Sequence, residues 1–328
     1  MDSLVLLDLF TYAIVLAWMV VATPSRRLAF LPVIAIGLRA FALCLRQNLG
    51  TDVDNYTTLL TTCDLSSVNA IELFWYPACL PSWLSAGLLP FPFLWVGALD
   101  CALFWWMLRA GGWRVAGLHD LVYLPTQELG AIRQAIAMKL IVIAVLLYMQ
   151  SRGRRTRERP LRLLAATPFV HLAAIVPLGV IRFMTARLPL RLAMLGATAL
   201  AGTFALSMID ATLIGKLQFY LEFEGFRSAG EIYASWGKRV FVVVGSMALV
   251  AAPALTWLLY AVAMAFAATE FWVPEIAVRV GAYFEQFEVF LVGSTLRPGM
   301  RRYAPLWYGF IALAYTARYT LNVAGLPR

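Results

Sequence analysis

Apolar runs of about 20 residues recur along the chain, separated by short polar segments. A run of that length can cross a hydrocarbon core of about 30 Å as an α-helix. Because every backbone group in lipid must be hydrogen-bonded within the protein, such spans form helical bundles. The pattern predicts an all-α polytopic membrane protein, with about 10–11 membrane segments that include short broken or re-entrant helices. Residues 1–328 are expected to form a single integral membrane domain.

The runs also predict where helices begin and end, because proline interrupts helical hydrogen bonding. Leu163–Ile181 is either one span or a broken hairpin, and Val240–Ala268 is one tilted helix or two pieces around Pro253. A short half-helix is expected over Trp113–Tyr123, between a cytoplasmic turn at Arg109 and Arg114 and the proline at 125. The other predicted helices are Leu4–Ala22, Leu28–Leu45, a broken piece around Pro77 to Pro92, a span ending near Leu108, Gly130–Met149 and Tyr303–Val323.

Charge adds a prediction of sidedness. Of the 328 residues, 62% are hydrophobic and 14% charged, and the net charge of +9 is concentrated in short loops. Basic loops usually remain in the cytoplasm, and the arginine-rich stretch at 152–162 is the strongest such anchor. External loops are then expected at about 46–76, 210–239 and 269–288. The first run, whose acidic Asp2 and Asp8 stand where a signal peptide is basic, is interpreted as the first membrane helix and not as a cleavable signal peptide.

The four cysteines are Cys44, Cys63, Cys79 and Cys101, and their spacing matches no metal-binding motif. Cys63 and Cys79 fall in the same predicted external region. They are either a disulfide or two small apolar residues.

Candidate chemistry is densest just after the second helix. Asp52 and Asp54 lie two residues apart, with Arg46 before them and Tyr56 after. The carboxylates can serve as a base and the arginine can bind phosphate. The alternative is a solvated loop with an Asx-type turn. Glu72 lies among aromatic residues, where desolvation disfavours its ionised form, unless it reaches the lipid headgroups.

Other candidates lie along apolar helices. Arg133 and Gln134 open a helix, where an arginine either snorkels to the interface or binds phosphate. His171 lies at membrane depth, where ionisable residues usually line a cavity, although a backbone carbonyl can also satisfy a core histidine. In the second half, aromatic and charged residues suit either sugars or an interfacial belt: Lys216, Tyr220, Arg279 and Tyr283.

The sequence lacks the motifs of several common enzyme chemistries. The chain has no Gly-rich phosphate loop, no GxGxxG and no HExxH. Neither a nucleotide-linked substrate nor a cofactor is expected, and no obligatory metal. The basic residues form no aromatic-interleaved face of the kind that binds nucleic acid, so no nucleic-acid partner is expected.

The order of these segments resembles the EpsG branch of the Wzy-type polysaccharide polymerases. Arg46-Gln47-Asn48-Leu49-Gly50-Thr51-Asp52 followed by Tyr56 is similar to the family's R-x-N-x-G-T-D…Y segment. The further matching segments, in chain order, are Glu72 with Phe74 and Trp75, the Arg133-Gln134 helix opening, His171 after a basic loop, Lys216 to Tyr220, and Val278 to Tyr283. Two departures are the second aspartate, Asp54, and Leu73 where the family has proline.

The resemblance implies a bacterial inner-membrane enzyme with its active site facing the periplasm. It would transfer a glycan from undecaprenyl diphosphate to the non-reducing end of a lipid-linked oligosaccharide repeat. Arg46, Arg133 and Arg279 would bind the diphosphate, while Asp52 is the first candidate base, His171 the second and Glu72 the third. Expected partners are the lipid-linked oligosaccharide, membrane lipid and a chain-length regulator protein. The alternatives are an O-antigen-ligase-like glycan transferase, a membrane transporter and a membrane acyltransferase.

Overall fold

A computed structural model describes residues 53–64, 73–84, 94–123, 132–151, 154–194, 229–271, 274–294 and 296–323. These residues are almost entirely helical, as the apolar runs predict, and within them the only β-type pairing is an isolated bridge between Val250 and Leu296. The α-helices of the described residues are α1 (Val53–Thr62), α2 (Trp75–Leu84), α3 (Leu94–Tyr123), α4 (Ile132–Gln150), α5 (Arg154–Val170), α6 (Ile175–Thr185), α7 (Ala229–Leu249), α8 (Ala254–Ala268), α9 (Pro274–Glu285), α10 (Glu288–Gly293) and α11 (Ala304–Val323). Short 3-10 helices cover Leu172–Ala174, Thr269–Phe271 and Pro298–Tyr303, and 188–194 adds a helical segment.

The chain divides into two compact units. The first unit comprises Met1–Leu172, Leu249–Ala251 and Val292–Arg328, and the second comprises Ala173–Ala248 and Ala252–Leu291. The expected single membrane domain over residues 1–328 stays a prediction, as do the predicted helices before residue 53, which lie outside the described residues.

The core of the first unit is α4, most of whose side chains are buried. By length and composition, α4 is the one helix within the described ranges that is long and apolar enough to cross a membrane. Leu172–Thr185 and Ala254–Ala268 are apolar but shorter. The predicted helix over Gly130–Met149 is therefore confirmed with its boundaries shifted by one or two residues, which is the usual uncertainty at helix ends.

Helices α4 and α5 form an antiparallel hairpin. At the turn, the Arg157 guanidinium lies 5.6 Å from the ring centroid of Tyr148, and its Nε donates to the Ser151 carbonyl. The arginine-rich stretch predicted as a cytoplasmic loop is thus largely the first half of a helix. Arginine is a good helix former, so a basic run between two apolar segments need not be irregular.

Helix α3 corrects a second expectation. It continues through Arg109 and Arg114, where a turn and a separate half-helix were predicted, and it ends before the proline at 125. Neither a proline nor a cap interrupts this stretch, and Arg109 is accommodated on the helix surface, 5.4 Å from the ring centroid of Trp105. The two arginines make this stretch more polar, but they do not mark the end of a helix.

The length of α3 nevertheless requires a bend. Lys139 contacts Asp100 and Gln150 contacts Ala110, so α3 and α4 run in the same direction. A straight α3 would place Tyr123 about 45 Å along the axis from the start of α4. The connecting chain reaches only about 32 Å. Glycine pairs commonly permit bends, and the pair at 111–112 lies in the middle of the helix.

The breaks predicted at prolines are present in two places. Helix α5 ends at Val170 and α6 begins at Ile175, so Leu163–Ile181 is not one continuous helix. Helices α7 and α8 likewise divide the apolar run on either side of 250–253. The final predicted helix is confirmed as α11.

In the second unit, α8 and α9 form an antiparallel hairpin joined through the 3-10 turn Thr269–Phe271. The rings of Phe266 and Phe284 stack with their centroids 5.6 Å apart. Gly281 lets the two helices approach closely, since a methyl group there would come within 3.3 Å of the Phe266 Cβ. The polar segments expected as external loops at 210–239 and 269–288 thus contain the start of α7 and all of α9.

Candidate functional site

Three of the candidate segments come together in the first unit. The guanidinium carbon of Arg133, at the start of α4, lies 4.9 Å from the ring centroid of Trp75, at the start of α2. The backbone N–H of Phe74 donates to the carbonyl of Phe169, near the end of α5, over 3.2 Å. His171 follows two residues later. Segments that are far apart in sequence therefore meet at one end of the α4–α5 hairpin, and we call this cluster the Arg133 site.

The local environment of Arg133 favours an anion. The amino end of a helix carries a partial positive charge, because its first N–H groups have no intrahelical partner. A guanidinium in the first turn adds a full positive charge to that end. The face of the buried Trp75 ring offsets part of this repulsion through a cation–π contact. Phosphate groups are typical ligands of such helix ends.

The other polar candidates of the first unit fall close to this cluster in the chain. Gln134 is buried on α4. His171 is half-buried, and its backbone N–H still donates to Thr167, so it continues the last turn of α5. The structure thus brings His171 to the same end of the hairpin as Arg133.

A disulfide between Cys63 and Cys79 joins α1 to α2, with the Cα atoms 5.7 Å apart. The disulfide interpretation of these two cysteines is therefore confirmed. Asp54 and Tyr56 lie in the first turn of α1, so the bond links the end of the first motif to the helix that carries Trp75. The side chains of Asp54 and Tyr56 lie outside the described part of the structure.

The remaining candidates are placed as follows. Tyr283 is fully buried on α9 in the second unit. Arg279 lies on the same helix four residues earlier, which confirms the predicted helical spacing, although its side chain is not among those described. Five candidates lie outside the described residues: Arg46, Asp52, Glu72, Lys216 and Tyr220.

The second unit contains a buried ionic network that the sequence did not predict. Nη2 of Arg239, on α7, lies 3.0 Å from Oε1 of Glu270 and also contacts Glu285, at the end of α9. Beside this pair, Nζ of Lys238 lies 3.2 Å from Oε1 of Glu288. The Tyr260 hydroxyl donates to the other oxygen of Glu288 over 2.9 Å. We call these six residues the Arg239 network.

Most of the Arg239 network is removed from solvent. Arg239, Glu270 and Glu288 are each no more than 3% exposed. Lys238 and Glu285 are somewhat more exposed. Ionised groups are buried at this depth only when paired, because their desolvation is costly. One clue was present in the sequence: the Lys238-Arg239 pair directly precedes an apolar run.

A further buried pair lies in the first unit. Nζ of Lys139, in the middle of α4, lies 2.6 Å from Oδ1 of Asp100 on α3, and the lysine side chain has no exposed surface. Sequence reasoning also missed this pair, although a lysine in the centre of an apolar run is itself a warning of a buried partner.

Metal chemistry finds no support among the described residues, in which no three His, Cys, Asp or Glu side chains form an arrangement that could hold a metal ion. The expectation that the protein needs no metal stays a prediction.

The described residues form an all-α protein, and its apolar helices carry charged side chains that are buried in ion pairs. No protein-family model matches the chain, and neither a curated protein nor a solved structure is significantly similar to it.

Proposed function

We propose that this protein is a polytopic membrane glycosyltransferase of the Wzy type, which polymerises lipid-linked oligosaccharide repeats. The observation that carries the proposal is the meeting of Trp75, Arg133 and the segment before His171 at one end of the α4–α5 hairpin. These segments are the ones that resemble motifs of one family. Unrelated segments that are far apart in sequence would not be expected to lie next to one another in the fold.

Exposed apolar stripes support the membrane part of this proposal. On α11, Leu306 and Leu313 are 72% and 67% exposed, while Trp307 and Tyr308 of the same helix are buried. A soluble protein rarely exposes continuous rows of large apolar side chains, whereas helices that face lipid require them.

Helix α7 supports the same proposal with an inside-out distribution. Val244 and Met247 are 61% and 60% exposed, while Arg239 and Ser246 are buried. Apolar side chains on the outside and polar ones on the inside are expected of a helix that contacts lipid on one face and a polar interior on the other.

The proposed reaction places distinct demands on the site. The acceptor hydroxyl oxygen forms a bond to the anomeric carbon of the donor glycan, and the bond from that carbon to the lipid diphosphate breaks. Arg133 is the first candidate for stabilising the charge that develops on the departing diphosphate, and Arg46 and Arg279 are the other candidates for that role. The hydroxyl proton passes to a base, for which Asp52 is the first candidate, followed by His171 and Glu72.

A transporter is the second candidate function, and the Arg239 network is the observation that favours it. Charged residues contributed by several helices often line ion or substrate pathways in membrane proteins. An O-antigen-ligase-like transferase would use the same donor and differs only in its acceptor.

One assay separates these functions. The purified full-length protein is incubated in detergent or vesicles with a synthetic undecaprenyl-diphosphate-linked repeat as both donor and acceptor. Lengthened lipid-linked glycan in the absence of any other acceptor supports the polymerase. Transfer that occurs only after a different acceptor is added supports the ligase. Movement of the repeat across sealed vesicles without any lengthening would replace the proposal with the transporter.

A further inference from the structure

The Cys63–Cys79 bond bears on the sidedness of the first unit. Both cysteines are buried, whereas Cys101 on α3 lies outside this disulfide. Disulfides form and persist in oxidising compartments and are rare in the reducing cytosol. A chain that carries this bond must expose 63 and 79 to an oxidising compartment while it folds.

We infer that the segments 53–64 and 73–84, which the disulfide joins, fold on the outer face of the cytoplasmic membrane, and that a thiol–disulfide oxidoreductase of that compartment acts on Cys63 and Cys79. The inference rests on the membrane location proposed above, and it holds whether or not the protein polymerises glycans.

The charge distribution along the α4–α5 hairpin agrees independently with this orientation. Trp75, on the helix that carries Cys79, contacts Arg133 at the amino end of α4. The other end of α4 leads into the arginine-rich start of α5, which the positive-inside rule places in the cytoplasm. The disulfide and the basic residues thus assign opposite ends of one apolar helix to opposite sides.

The oxidation requires an external electron acceptor. The two thiols lose two protons and two electrons and form one S–S bond, while a disulfide of the oxidoreductase is reduced to a dithiol. In the folded unit the Cys79 sulfur is fully buried, so a protein-sized oxidant must reach it before α1 and α2 pack together. The oxidoreductase is therefore a partner during folding.

The test measures thiol status of the full-length protein in two bacterial hosts, one with and one without its outer-compartment thiol oxidase. Cells are quenched in acid, the protein is denatured, and free thiols are labelled with a maleimide polymer before or after reduction. Denaturation makes the readout independent of whether a variant folds. Cys101→Ser is the matched control, because Cys101 lies outside the disulfide.

In the complete host, reduction should release two additional thiols from the wild type and from Cys101→Ser, and none from Cys63→Ser or Cys79→Ser. In the oxidase-deficient host, the two thiols should be labelled without reduction. The inference is overturned if both thiols are free in the complete host. It is equally overturned if Cys79→Ser retains a reducible pair, or if oxidation is unchanged without the oxidase.

Discussion

The two units place an arginine in opposite settings. Arg133 is half-buried at the end of a helix, where its guanidinium lies against the face of Trp75. Arg239 is buried in mid-helix and contacts the carboxylates of Glu270 and Glu285. An arginine near a helix terminus can change partners when an anion binds, whereas one enclosed by carboxylates is part of the packing. The comparison predicts that Arg133 contributes mainly to function and Arg239 mainly to stability.

The largest expected effect is the loss of Arg239. Removing one partner of a buried ion pair leaves the other charge unsatisfied and typically costs about 3–5 kcal/mol. Arg239→Ala should therefore lower the yield of folded protein and its unfolding temperature in detergent sharply. Arg182→Ala, at an exposed position on α6 of the same unit, is the control and should behave like the wild type. Equal stability of the two variants would contradict a packing role for Arg239.

The second prediction concerns the base that the Arg133 site would need. Asp52→Asn keeps the shape of the side chain and loses its basicity, so chain growth should fall by about 10²–10⁴-fold while folding is retained. His171→Ala is the matched comparison, because His171 lies at the same end of the hairpin as Arg133. If His171→Ala is inactive and Asp52→Asn is nearly normal, the proton goes to the imidazole. Normal chain length in both variants would exclude both residues as the base.

The third prediction tests Arg133 itself. Loss of one electrostatic contact to the developing diphosphate charge should reduce the rate by about 10²–10³-fold. Arg133→Ala should show this loss with little change in unfolding temperature, and Arg133→Lys should recover only part of the activity, because an ammonium lacks the planar fork. Arg109→Ala is the control, since Arg109 also stacks on a tryptophan but is exposed on α3. A large loss of stability in Arg133→Ala would instead show that Arg133, like Arg239, mainly stabilises the fold.

Some helices of the two units could be predicted from the sequence and others could not. Helices α4 and α11 were predictable, because an uninterrupted apolar run defines each of them. The break near His171 was predictable because prolines flank it. The continuity of α3 was not, since its arginines were interpreted as a turn although no residue there prevents helix formation.

The site was predictable only in part. Short motifs identify residues such as Arg133 and His171 because each lies beside a recognisable boundary. The Arg239 network leaves no such local pattern. Its members come from α7, α8, the 3-10 turn Thr269–Phe271, α9 and α10, and its hydrogen-bonded pair Tyr260–Glu288 is already 28 residues apart along the chain. Glu285 and Glu288 therefore resemble the polar face of an interfacial helix until the packing of α7 is known.

The smallest expected effect tests whether the Arg239 network only stabilises the fold or also takes part in the activity. Tyr260→Phe removes one hydroxyl that donates to Glu288 and keeps the ring that packs α8. A hydrogen bond to a charged group contributes about 1.5–3 kcal/mol, so the unfolding temperature should fall by a few degrees. Because Lys238 still pairs with Glu288, that carboxylate keeps a cationic partner and the network should stay assembled. If the network only supports the fold, the polymerisation rate per folded molecule should match the wild type. A rate that falls much more than stability would show that the second unit takes part in the activity, and the contrast between the two arginines would then fail at Arg239.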